Sequence, residues 1–215
     1  MVTTQPPVEM NRIKEAELIR YLKPLKSPVL IQEYLDSIPY NTTGRTLSPL
    51  QVMKERMAHC MDGGLFAAAA LRRLGYPPLI VDLAAANDDD HIIAVFREGK
   101  CWGAIAKSNT TVLRFREPVY RSVRELAMSY FDLYYNLKAE KTLRSYSRTI
   151  DLSRFDKHLW ETTEEDLEYI GEYTYRVRHY SLVTEKQISI LNKVPGYLYD
   201  AGFAGADSEG LFKPL

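Results

Sequence analysis

The sequence predicts an α+β protein: helices first, then a small antiparallel sheet, then helices again. Two Ser-Pro pairs, Ser27-Pro28 and Ser48-Pro49, each place a capping hydroxyl before a proline at a first helical position. An alanine-rich segment, 60–74, reads as one helix ending at Gly75, with Pro77-Pro78 beyond it. Three short apolar runs follow at 79–84, 92–96 and 101–106, the last two flanking a turn over Arg97-Glu98-Gly99-Lys100.

The elements follow in order along the chain. A first helix is expected over 9–22, and the Ser27 cap starts a second that runs through Asp36. A polar loop over 40–46 precedes a short helix carrying Leu50, Met53 and Met57. In the helix 60–74, the run Ala67-Ala68-Ala69-Ala70 puts small side chains on every face, which suits a central helix approached from several sides. Beyond the strands, Val123, Leu126, Ala127, Tyr130, Phe131 and Tyr134 form an i, i+3, i+4, i+7 stripe that predicts an amphipathic helix. A last helix is expected to start near Thr162-Thr163. Its opening acids and closing Arg176, Arg178 and His179 complement the helix dipole. The tail, 195–215, is expected to be irregular.

The 215 residues suit a single domain with a sizeable core. Within it, 46–109 forms the chemistry-bearing core and 120–194 a C-terminal helical extension. Lys+Arg and Asp+Glu both number 28, so no net field favours polyanions or anionic membranes. Neither nucleic acid nor membrane is an expected partner, although Arg114, Arg116, Arg121 and Arg124 give a local basic cluster. Residues 1–11 lack the pattern of a secretory signal, and no apolar run could span a bilayer. A cytoplasmic address with both cysteines, Cys60 and Cys101, reduced is the expectation. No paired CxxC, HExxH, EF-hand or phosphate-binding glycine loop is present, so neither metal nor cofactor is expected.

Chemistry concentrates at Cys60. A thiol becomes nucleophilic as thiolate, and a helix N-terminus supplies partial positive charge and free N–H groups. Cys60 opens the alanine-rich helix, and Gly63 and Gly64 in its first turn leave room for a substrate to approach the backbone. His91, at the start of the second apolar run, is the candidate base and acid.

This arrangement resembles the transglutaminase-like superfamily. The resemblance covers about 46–109: Cys60 opening Leu65-Phe66-Ala67-Ala68-Ala69-Ala70-Leu71-Arg72-Arg73-Leu74-Gly75-Tyr76, then a strand, then His91-Ile92-Ile93-Ala94-Val95, then a hairpin and Trp102. It implies a papain-like fold, with a central helix packed on a small antiparallel sheet. It also implies an amide or peptide hydrolase, or an acyl transferase, working through a Cys60 thioester with His91 as general base. The substrate would be a peptide, a protein or a small amide. The family completes its triad with an aspartate on the third strand, and here the sequence departs from it. A two-residue Glu98-Gly99 turn pairs Phe96 with Cys101 and, continuing outward, His91 with Ala106, which accepts no side-chain hydrogen bond. Asn109, turned inward by a bulge, is the first candidate for the third catalytic residue and Ser108 the second. A catalytically inactive binding module on the same fold is the alternative reading.

Other polar features have plainer readings. Gln51 reads as an exposed helical glutamine rather than an oxyanion donor, for which the Cys60 backbone N–H serves better. His59 is background, because neighbours i and i+1 do not face each other on a helix. Asn87-Asp88-Asp89-Asp90 reads as a solvated acidic turn in preference to a cation site, and the Tyr169, Tyr173 and Tyr180 spacing as packing.

Overall fold

The computed structural model describes residues 7–213. Positions 1–6 and 214–215, and what the sequence suggests for them, lie outside the described residues. Helices α1 (Pro7–Leu22), α2 (Pro28–Asp36), α3 (Pro49–Glu55) and α4 (Cys60–Arg73) come first. The sheet strands are β1 (Leu79–Ala85), β2 (His91–Glu98), β3 (Cys101–Ile105), β4 (Arg116–Tyr120), β5 (Leu143–Ser147), β6 (Ile150–Asp151) and β7 (His179–Ser181). Helices α5 (Val123–Met128), α6 (Glu168–Arg176), α7 (Glu185–Ile188) and α8 (Gly196–Phe203) are interleaved with or follow the later strands. The result is α+β with an antiparallel sheet ordered β4-β3-β2-β1-β5-β7, β6 pairing with β1 off that path.

The sheet is coated on both faces, and strand alternation sorts the side chains. Ile92, Ala94 and Phe96 of β2 join Leu65, Phe66, Ala68 and the other core residues of α1–α4 in one hydrophobic cluster. Ile93 and Val95 join Val81 and Leu83 of β1 with Leu126, Tyr130 and Tyr134 in the other. Ala67 to Ala70 are all buried, as a helix enclosed by neighbours requires.

The hairpin register differs from the sequence expectation. Glu98 pairs with Cys101 and Phe96 with Gly103, so the turn residues are Gly99-Lys100. Gly99 sits at φ +57, a left-handed position that glycine takes freely, and it falls first in the turn, not second. The ladder ends at Ile105; its continuation would bring Ser108, not Ala106, level with His91.

Three other expectations change. The stripe at 123–134 is buried from Leu126 onward, with Val123 half-buried, but is not one helix: α5 stops at Met128 and a 3₁₀ turn covers Phe131–Leu133. The Ser129 hydroxyl takes the Leu126 carbonyl at 2.6 Å, a local bond that competes with helix continuation. The last long helix shortens to α6, and His179 lies in β7. The tail holds α8 and a 3₁₀ turn at Ser208–Gly210, tied down by Tyr135 Oη to Leu198 O at 2.7 Å and Thr111 N to Gly202 O at 2.9 Å. Both cysteines are free. No helix among the described residues is long and apolar enough to cross a membrane.

Candidate functional site

The start of α4 is fixed by an interlocked cap. His59 is the N-cap, and its Nδ1 accepts from Met61 N at 3.1 Å. Asp62, fully buried, closes the reciprocal bond from His59 N at 3.0 Å and accepts from Asn41 Nδ2 at 2.8 Å and Leu47 N at 2.7 Å. Three donors satisfy the carboxylate, which is the condition for burying one. His59 is thus structural, through the helix-cap position rather than through any side-chain contact with Cys60.

Gly63 and Gly64 also differ from expectation. A Cβ on Gly63 would sit 2.2 Å from Lys107 Cβ, and one on Gly64 2.6 Å from Ile92 Cγ2. The glycines let α4 lie against the sheet; they do not open space for substrate. Lys107 itself is buried, with Nζ donating to Leu35 O at 2.8 Å at the end of α2. Burial lowers its pKa to about 8. Gln32 brackets Ala106 by accepting from its N–H at 3.0 Å and donating to its carbonyl at 2.9 Å.

Cys60 lies half-buried in the wall of a cleft, with the sulfur 3.8 Å from Asp90 O. Close-packed protein around it pushes its thiol up to about 12, with Asp89 and Asp62 opposing ionisation and the Ile92 N–H favouring it. The Cys60 backbone N–H faces the Tyr40 phenol.

His91 is paired with Leu83 across β1 and shares that residue's face of the sheet. Its ring packs edge-on to Tyr134, 6.4 Å between centroids, and Nε2 lies 2.9 Å from Leu113 O. A carbonyl can only accept, so Nε2 carries the proton and Nδ1 holds the lone pair. Burial lowers its pKa to about 4, with the Arg116 and Arg114 charges adding to the effect. Cys60 meets the sheet from the other face, the side of Ile92 and α4. No hydrogen bond joins the thiol to the imidazole; the sulfur meets the backbone on either side of His91.

Neither candidate third residue reaches His91 by a hydrogen bond. The Asn109 side chain pairs with the backbone of Asp207, donating to its carbonyl and accepting from its N–H, both at 2.8 Å. Ser108 Oγ bonds Thr110 Oγ1 and accepts from Thr110 N, both at 3.0 Å. The position that orients the ring belongs to the Leu113 carbonyl, which residue types alone do not announce. Gln51 is buried and completes the Ser48 capping box.

The cleft has a volume of about 530 Å³ and contains Cys60 and His91 in its wall. The acidic turn contributes to it and is built, not merely solvated. Asp90 Oδ1 accepts from Ala85 N, and Asp88 Oδ2 from Thr142 Oγ1, both at 2.7 Å. Burial raises the pKa of Asp88 to about 6 and those of Asp89 and Asp90 above the usual carboxylate range.

Asp82 is the residue that sequence reasoning missed, because it reads as one polar position in an apolar strand. It is fully buried in β1 on the α4 face, with Oδ2 3.1 Å from His179 Nε2, and it also lines the cleft. Desolvation, with Asp90 nearby, raises its pKa to about 6, against the pull of His179. Residues 209–212 of the tail form part of the cleft wall, and Gly210 packs on Tyr40.

Among the described residues, no group of three or more His, Cys, Asp or Glu side chains is placed to hold a metal ion. No protein-family model matches the chain, and no curated protein matches it.

Proposed function

We propose that this chain is a transglutaminase-like domain whose cleft serves to bind a ligand, with Cys60 a neutral, non-catalytic thiol. One observation carries the reading: Cys60 and His91 approach β2 from opposite faces with no hydrogen bond between them. A thiol pushed up to about 12 and an imidazole lowered to about 4 both favour uncharged forms at neutral pH. A cysteine nucleophile needs the reverse, a depressed thiol pKa beside a proton-accepting base.

A second reading, a cysteine-dependent amide or peptide hydrolase or acyl transferase, is favoured by two other observations. Cys60 is the first residue of α4, where helix N–H groups favour a thiolate, and the Leu113 carbonyl holds His91 in the tautomer that leaves Nδ1 able to accept a proton. In that reading Cys60 attacks the carbonyl and a thioester forms as the amine leaves. The acyl group then passes to water or to a second amine.

Alkylation by iodoacetamide at pH 6–9 separates the two. The binding reading expects slow modification of Cys60 that rises with pH and is unchanged by His91→Ala. Fast modification at pH 6 that His91→Ala abolishes would establish the enzyme.

A further inference from the structure

The charges around the cleft are one-sided in a chain whose net charge is zero. Among the described residues, seven carboxylate side chains line it, and no lysine or arginine does. An acidic lining alone describes many solvated surfaces, but here one carboxylate is left incomplete. Asp82 has no solvent exposure, one of its oxygens is taken by His179, and Oδ1 has no hydrogen-bond partner. Buried carboxylate oxygens are ordinarily paired, because an unpaired one forfeits its hydration with nothing in return. Phenols line the same space: Tyr134 donates to Asp89 O at 2.6 Å, and Tyr175 stands in the cleft wall, its pKa raised by burial first and then by the Asp90 and Asp82 charges. Aromatic rings beside carboxylates favour organic cations, through ring faces as well as ion pairing.

We propose that the cleft binds an organic cation, an alkylammonium or guanidinium group, with Asp82 Oδ1 as its partner at the acidic end. The proposal rests on reading the cleft as a binding site and gives that site its ligand class. A divalent metal is the weaker occupant, since the acids do not converge into a metal-holding group among the described residues. An ammonium ion needs only one or two carboxylate partners and keeps its other donors for carbonyls or water. Held in an ion pair with a buried carboxylate, the amine stays protonated and so is a recognition handle, not a nucleophile. The cavity, about 530 Å³, is of a size that holds a small organic ligand or a peptide side chain. The cation could be a free polyamine or the basic side chain of a peptide.

Titration calorimetry at pH 8 tests this with spermidine, N-acetyl-lysine amide and N-acetyl-arginine amide as probes. N-acetyl-norleucine amide, N-acetyl-glutamate amide and magnesium chloride are the comparisons. At least one cationic probe is expected to bind tenfold or more tightly than the norleucine amide. Asp82→Asn should weaken it at least tenfold, while Glu117→Gln, on the exposed part of β4, should leave it within twofold. Tighter binding of spermidine identifies a free polyamine, and tighter binding of an amide probe identifies a peptide side chain. No binding by any cationic probe, equal binding of the norleucine amide, or full affinity in Asp82→Asn would each overturn the proposal. The two readings fail separately: iodoacetamide at Cys60 reports on the thiol and the Asp82→Asn titration on the cation. A reactive thiolate would overturn the non-catalytic reading and leave cation binding in place, whereas lost cation preference would overturn only the ligand class.

Discussion

Replacing Asp82 with asparagine should make the protein more stable at pH 8. The side chain is fully buried, one carboxylate oxygen bonded to His179 and the other to nothing. Its pKa rises from 3.8 to about 6, chiefly through desolvation. A carboxyl whose pKa is raised on folding stabilises the fold in its protonated form. That contribution is complete below pH 3.8 and is lost as pH rises through about 6. At about 1.4 kcal/mol per pH unit, the difference amounts to on the order of 3 kcal/mol by pH 8. Asparagine keeps the shape, removes the charge and can still hydrogen bond to His179. Urea denaturation of both proteins at pH 4, 6 and 8 measures it. The variant should gain on the order of 2–3 kcal/mol at pH 8, with the gap closing towards pH 4. A variant less stable than the parent at pH 8 would mean that the His179 pair outweighs desolvation, and the reasoning about the orphaned oxygen would fail with it. A protein that keeps a destabilising buried charge beside a cleft fits a site retained for its ligand.

Two further perturbations follow from the packing. Gly63→Ala puts a methyl group 2.2 Å from Lys107 Cβ, so denaturant melts should show a loss of about 1–3 kcal/mol or more; an unchanged midpoint would contradict the close docking of α4. Asn109→Ala removes both bonds to Asp207, so amide exchange over 203–212 should quicken while exchange in α4 stays the same. Faster exchange throughout the chain would instead make Asn109 part of the global fold.

The front half of the fold was legible because its signals are local. Ser27 and Ser48 cap α2 and α3 where the Ser-Pro pairs place them, and α4 runs from Cys60 to Arg73 ahead of Gly75. Strands β4 to β7 were missed because they are short and carry polar residues. LRSYS and HYS have neither apolar alternation nor length, and their pairing is set by tertiary contact with β1. The hairpin register was two residues out for one reason: Gly99 can occupy either turn position, and the residue types do not say which. At the site, the sequence brought Cys60 and His91 into one cleft but could not say which face of β2 each would meet. The Asp82–His179 pair spans 97 positions and gives no local signature. Asn109 was drawn instead to the tail, through a backbone partner 98 positions away.

Nitrogen-15 NMR of the His91 ring tests the central claim most directly, because it reads protonation at each nitrogen separately. If Cys60 and His91 are an uncoupled neutral pair, the ring carries its proton on Nε2 alone at pH 7, and Nδ1 becomes protonated only near pH 4. Cys60→Ala should leave that titration in place. An imidazolium at pH 7 that turns neutral in Cys60→Ala would reveal a thiolate–imidazolium couple and contradict the account.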